Sequence, residues 1–186
     1  DQCGDVSMQI VTSGPDHKEE YIKNAYIKII NNAKKNVYLE TPYFVPDAPV
    51  LEALRISALS GVDVRIIIPG KADHFFMKWA ASSYIGELLD AGVRVYSYNN
   101  GFIHAKTMVS DSGVMSIGTA NMDIRSFKLN FEVNAFIYDD RIALDGEEQF
   151  RKDMAFSEEI TKETYNNRSL LLRIEESLIR LVSPIL

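Results

Sequence analysis

A mixed α/β fold, one central β-sheet with helices on both faces, is the class that this sequence predicts. Three observations carry it. Strand-length apolar runs alternate with helix-period segments through the first hundred or so residues, the later strands follow one another closely, and VDVRIIIPG (62–70) is too apolar for a solvent edge. Alternation builds parallel strands covered by helices, whereas closely spaced strands build hairpins, so the two together make a mixed sheet.

Each element follows in turn. VSMQIVTSG (6–14) reads as a strand ending at a Gly-Pro turn. HKEEYIKNAYIKIINNAKK (17–35) carries Tyr21, Ile22, Ala25, Ile29 and Ile30 at helical spacing. NVYLETPYF is a strand stopped by Pro42, and APVLEALRISALSG (48–61) is a helix with Gly61 just past its end. Residues 75–91 read as a helix ending at Gly92, with Trp79 in the core. VRVYSY (93–98), FIHAKTMVS (102–110), VMSIGTA (114–120) and NFEVNAFIY (130–138) are further strands. DGEEQFRKDMAFSEEI (145–160) reads as helical, and TKETYNNR as the one plausible linker. Residues 168–183 read as a final amphipathic helix with Leu171, Ile174, Leu178, Leu181 and Val182 on one face. Core packing is its default role; Glu175 and Glu176 offset Arg173 and Arg180, so attraction to anionic lipid is weak.

The 186 residues suit a single domain, 1–186, with a real core. Hydrophobic residues at 46% and charged residues at 25% are an ordinary globular balance. The net charge of -6 speaks against a nucleic-acid partner, whose binding surface is basic. One cysteine, Cys3, leaves no intrachain disulfide and fits a reducing, cytosol-facing setting. No run resembles a signal peptide or a spanning helix, and a start at Asp1 is expected of a piece of a longer protein.

The chemistry concentrates in FIHAKTMVSDSGVMSIGTAN (102–121). Side chains two apart on a strand share a face, so His104 and Lys106 project together. Thr119 and Asn121 repeat that spacing at the end of the next strand, and Asn130, Glu132 and Asn134 repeat it on a third. Two cationic groups in a strand are costly to bury unpartnered. Phosphate is a partner that suits them: Lys and Asn donate to its non-bridging oxygens, and His acts as nucleophile or acid-base near neutral pH. A carboxylate such as Glu132 can hold an imidazole tautomer. Asp111 completes H-x-K-x-x-x-x-D; bracing the turn is preferred for it over reaction. That spacing arises by chance roughly 0.01 times in a chain of this composition. No HExxH, paired-cysteine set or carboxylate cluster occurs, so neither a metal nor another cofactor is expected.

His104-x-Lys106-x-x-x-x-Asp111 followed by Gly118-Thr119-x-Asn121 resembles the HKD signature of the phospholipase D superfamily, which more often has Ser where Thr119 stands. ETPYFVPD (40–47), GVDVRIIIP (61–69), GFIHAKTMVSD (101–111), SIGTANMDIRSFKLNFEVNAFIYD (116–139) and RLVSPIL (180–186) resemble the second HKD half of bacterial cardiolipin synthases. The resemblance runs from about Val6 to Leu186. It implies a phospholipase D-type domain, the second of two, in an enzyme that joins two phosphatidylglycerols into cardiolipin through a phosphohistidine. It also implies that the other half supplies the nucleophile, that His104 is the general acid-base, that Lys106 and Asn121 hold phosphate oxygens, and that Glu132 reaches towards the other half's histidine. The intact enzyme would sit at the cell membrane through segments outside this chain.

Lesser candidates carry blander alternatives. Thr119 either binds substrate or serves turn chemistry at a strand end. Tyr43 and Phe44 line an acyl or glycerol pocket, or simply pack. His74 follows the PGKAD loop at a sheet end where α/β folds bind ligands and would touch a headgroup with Lys71; a plain loop histidine is the commoner outcome. His17 reads as solvated. Two other functions stay open: a single-HKD nuclease or phosphodiesterase completed by homodimerisation, and a non-enzymatic scaffold half.

Overall fold

Strand and helix patterns combine in the order β1 (Ser7–Ser13), α1 (Tyr21–Asn32), β2 (Asn36–Glu40), β3 (Phe44–Val45), α2 (Ala48–Leu59), β4 (Asp63–Pro69), α3 (Phe75–Ala91), β5 (Arg94–Tyr98), β6 (Thr107–Ser110), β7 (Val114–Gly118), β8 (Met122–Asp123), α4 (Ile124–Lys128), β9 (Glu132–Tyr138), α5 (Asp140–Ala155), β10 (Ser157–Ile160) and α6 (Lys162–Asn166). This computed structural model describes residues 4–71 and 75–169. Eight strands make one sheet in the order β1-β9-β7-β6-β2-β4-β5-β10, and β3 pairs with β8 in a separate small one.

The sheet is mixed, as the sequence predicts. β2, β4 and β5 run parallel, joined by α2 and α3, while the other ladders are antiparallel. Punctuation is local. Asp47 caps α2 by accepting from the Val50 amide at 3.2 Å. Gly61 and Gly92, with φ of 91° and 93°, take the left-handed conformation that ends α2 and α3. On one face Tyr26, Ile30, Leu54 and Leu88 of the helices pack against Val37, Leu39, Ile66, Val95, Met108 and Phe136 of the strands. On the other, Ala143 and Phe150 of α5 pack against Tyr38, Ile67, Tyr96 and Val109. Beyond α5 that second face is open: Met8, Ile10, Ile117 and Val133 lie on it in register, and Phe131, 73% exposed, adjoins them.

The register places the chemistry. Glu40 and Pro69 close parallel strands at the same sheet end where β6 begins at Thr107, β7 ends at Gly118 and β9 begins at Glu132. The carboxyl ends of parallel strands are the usual binding end of such sheets. Among the described residues no helix is long and apolar enough to cross a membrane.

Four sequence expectations need correction. The strand read over 102–110 pairs only from Thr107, so His104 and Lys106 precede the ladder instead of sitting within it. Beyond Glu40 the neighbouring chain reaches Pro42, which has no N–H to donate. The helix read over 145–160 begins earlier, at Asp140, where Asp139 caps it by accepting from the Arg141 and Ile142 amides at 3.0 and 3.1 Å. Its expected last turn is instead β10, which covers the edge of β5 and ties to it through Arg94 and Glu159 at 3.0 and 2.8 Å. The linker is a docked turn: Thr161 and Thr164 form a capping box, and the Tyr165 hydroxyl donates to the Ser82 carbonyl at 2.8 Å. Of the helix expected over 168–183, everything from residue 170 lies outside the described residues.

Candidate active site

His104 stands on the extended segment that leads from Gly101, itself left-handed at φ 97°, into β6. It is exposed, not buried as a strand-centre position implies. Two aromatic rings flank it. Phe102 stacks on it at 5.7 Å between centroids, and Tyr43 meets it edge-on at 6.3 Å. Lys106 is half-buried, and its Nζ donates to the His104 carbonyl at 3.0 Å. The same Nζ lies 3.1 Å from Nδ1 and 3.2 Å from Nε2 of His104. Near-equal distances to both ring nitrogens put the ammonium over the ring face, the position of a cation–π contact. The shared face expected from the two-residue spacing is therefore present without a ladder.

Charge at this end is balanced inward. Burial holds the pKa of Lys106 below its ordinary value, partly offset by the carboxylates of Glu132 and Asp123. Glu132 begins β9, is only 9% exposed, and accepts from Asn130 Nδ2 at 3.2 Å. Asp123 is also buried; burial raises its pKa, against hydrogen bonds from Ser126 and Asn121. Its carboxylate caps α4, accepting from the Ser126 amide at 2.7 Å. An ammonium influenced by two carboxylates and set against an exposed imidazole is chemistry that suits phosphate oxygens.

The remaining expected residues are held more than they hold. Asn121 Nδ2 donates to Ser126 Oγ at 3.2 Å, and its Oδ1 is buried with no hydrogen-bond partner among the described residues. Thr119 extends the β7–β9 ladder by one step: its hydroxyl accepts from the Val133 amide at 2.9 Å, and its own amide donates to the Val133 carbonyl at 3.0 Å. Phe44 is 1% exposed, packed in the core through β3 beside the segment bearing Tyr43. Asn134, on the face of Glu132, is fully buried and donates to the Tyr26 hydroxyl at 2.8 Å and to Ser116 Oγ at 3.0 Å. His74 lies outside the described residues.

Asp111 lies at the opposite end of β6 from His104. Its carboxylate accepts from the amides of Lys34, Lys35 and Asn36 at 2.7, 2.8 and 3.0 Å. Burial would raise its pKa, but those three amides and the Lys35 charge hold it below the ordinary carboxylate range. It thus braces the α1–β2 junction against the β6–β7 turn. Glu147 supports the same turn, accepting from the Ser112 amide at 3.0 Å and its hydroxyl at 2.8 Å.

Sequence reasoning missed Phe102 and Asp123. Phe102 was within reach, since it is two residues before His104 in an extended segment. Asp123 reads as an ordinary helix cap, and only the approach of β8 to Lys106 makes it part of the site.

Comparison with known proteins identifies the family and the fold. Residues 26–154 match the family described as "Cardiolipin synthase, PLD-like domain". A cardiolipin synthase of Clostridium perfringens (strain SM101 / Type A) is 60% identical over 181 residues, which are 97% of this chain and 38% of that protein. The major cardiolipin synthase ClsA of Bacillus subtilis (strain 168) is 60% identical over 183 residues, 98% of this chain and again 38% of the relative. The chain thus spans about two fifths of the length of these relatives. Among solved structures, the phospholipase D family member Nuc from Salmonella typhimurium superposes with a TM-score of 0.71 at 19% identity, covering 85% of this chain and 100% of that one. The phosphatidylserine synthase of Haemophilus influenzae Rd KW20 gives 0.73 at 16% identity, covering 97% of this chain and 48% of its own. At those identities the likeness is one of fold.

Proposed function

Because the chain belongs to the PLD-like domain family of cardiolipin synthases, we propose that it supplies one half of a phosphatidyltransferase active site, in an enzyme that makes cardiolipin and glycerol from two phosphatidylglycerols. The observation that carries this reading is His104: an exposed imidazole in contact with a lysine ammonium. A second HKD half, the first in a longer chain, supplies the attacking histidine. Its nitrogen bonds to phosphorus of one phosphatidylglycerol, and the bond from phosphorus to the glycerol headgroup oxygen breaks. That oxygen takes a proton from His104 and leaves as glycerol. The neutral His104 then takes the proton from a headgroup hydroxyl of the second phosphatidylglycerol. The resulting oxygen attacks phosphorus, the phosphorus–nitrogen bond breaks, and cardiolipin departs.

Lys106 stabilises the charge that develops on the non-bridging oxygens. For Asn121 to join it, the side chain must turn its amide from Ser126 towards the phosphate. Glu132 orients the other half's histidine, and Asp111 holds the framework. Tyr43 and Phe102 shape the walls around His104. The open apolar sheet face of Met8, Ile10, Ile117 and Val133 lies opposite the face that bears Glu132 and suits the surface of a packed partner such as the other half. Segments outside this chain hold the enzyme at the cell membrane.

The test incubates the full-length protein and this chain alone with phosphatidylglycerol vesicles and assays cardiolipin and glycerol. The full-length protein should produce both in equal amounts, and the chain alone little or none. Substantial turnover by monomeric chain refutes the half-site. Turnover by a dimer of this chain would assign the second half to another copy.

A further inference from the structure

The small sheet of β3 and β8 has site residues at its entrance. Each strand has only two residues, with Phe44 opposite Met122 and Val45 opposite Asp123. The chain enters β3 from Tyr43, whose ring meets His104 edge-on at 6.3 Å, and enters β8 from Asn121. The strands run parallel, so Tyr43 and Asn121 both stand one step before the first rung. A pair of strands this short is marginal by itself and needs a fastening. Thr41 provides it. Its hydroxyl donates to the Tyr43 carbonyl at 2.8 Å and accepts from the Met122 amide at 3.1 Å. One hydroxyl thus joins the two entering segments, its hydrogen holding one and a lone pair holding the other. Thr41 is itself fixed. It is 1% exposed, its amide donates to the Ile67 carbonyl of β4 at 3.2 Å, and Pro42 after it favours extended backbone.

What lies beyond Met122 gives the bridge its reach. Asp123, the last residue of β8, caps α4 through the Ser126 amide at 2.7 Å. Ser126 Oγ in turn accepts from the Asn121 amide and from Asn121 Nδ2, both at 3.2 Å. The Asn121 side chain is therefore placed by α4, α4 by β8, and β8 by its fastening to β3. Met122 is 1% exposed within the apolar core, so its amide has no wet alternative to the Thr41 hydroxyl. We propose that Thr41 is a positioning residue: its hydroxyl clamps β3 to β8 and so fixes the segments bearing Tyr43 and Asn121 relative to each other and to His104. This rests on the reading of His104 and Asn121 as site residues, but not on the identity of the substrate. Thr41 is buried and acts through its neighbours rather than on the reacting atoms.

The test compares Thr41→Val, which keeps the shape and removes the hydroxyl, with Thr41→Ser, which keeps the hydroxyl. Thr41→Cys, a weaker donor and acceptor, should fall between them. In this chain without lipid, hydrogen exchange at the Met122 amide should quicken by about tenfold or more in Thr41→Val and by less than about threefold in Thr41→Ser. Proton NMR of the His104 ring reports Tyr43: Thr41→Val should move its signals towards those of Tyr43→Leu, and Thr41→Ser should keep them. In the full-length protein, Thr41→Val should lower kcat for cardiolipin formation by about tenfold to a hundredfold and leave KM for phosphatidylglycerol within about twofold. Thr41→Ser should restore kcat. Wild-type kcat in Thr41→Val overturns the proposal, as do unchanged His104 signals, or a loss of kcat that Thr41→Ser does not restore. If the wild-type full-length protein makes no cardiolipin, the proposed function fails alone, and the Met122 and His104 readouts still decide for Thr41.

Discussion

Asp111→Ala should unfold the chain more easily without touching its chemistry. The aspartate closes three hydrogen bonds to consecutive amides, of which that of Asn36 belongs to a buried residue and those of Lys34 and Lys35 to exposed ones. Loss of an ionised acceptor from a buried amide costs about 1.5–3 kcal/mol, and the two wetter bonds add about 0.5 kcal/mol each. Asp111 also sits at φ 54°, where alanine is worse than aspartate by about 1 kcal/mol. The sum is about 3.5–5 kcal/mol. With a urea dependence of about 2 kcal/mol per molar, the midpoint should move down by roughly 2 M. Asp111→Asn keeps an acceptor and tolerates the left-handed backbone, so it should lose about half as much. The sign of the pH effect is fixed by the depressed pKa. Its stabilisation is present above the ordinary carboxylate range near pH 4 and is lost as pH falls through the lower folded value, a loss that Asp111→Ala should not show. An Asp111→Ala chain that unfolds like the wild type while its full-length form is inactive would refute the bracing role.

Other outcomes follow from the same geometry. Glu40 is raised from 4.5 to about 7, so its contribution is whole below pH 4.5 and is lost as pH rises through 7. Glu40→Gln should therefore gain on the wild type across that window, by about 3 kcal/mol in chemical denaturation. Thr119→Val should cost about 1 kcal/mol by removing the hydroxyl that accepts from Val133, while Thr119→Ser should restore most of it, read as melting temperature. Gly118→Ala should cost more than about 2 kcal/mol or prevent folding, because its Cβ would collide with the Val133 carbonyl and the Asn134 side chain.

The chemistry was more legible than its setting. His104 and Lys106 share a face because any extended segment has that period, whether or not it pairs. Where pairing begins depends on Pro42, just past the end of the neighbouring strand, a tertiary fact that local pattern does not contain. SEEI continues the polarity of the helix before it, and only the bare edge of β5 makes it a strand. Glu40 carries no signal of its own, since it reads as the end of an apolar run; its raised pKa comes first from burial on the face that α5 covers, about a hundred residues later. Asn121 shows the reverse. Its motif position was plain, but the chain alone turns its amide to Ser126, which no spacing announces.

The central claim is that His104 moves protons while another histidine carries the phosphatidyl group. Rapid quenching of the full-length protein with phosphorus-labelled phosphatidylglycerol, followed by peptide mapping, tests it directly. The label should sit on a histidine outside residues 1–186, and His104→Ala should trap more of it there while cardiolipin release stops. Label recovered on His104 itself would contradict the assignment and make this half the nucleophile.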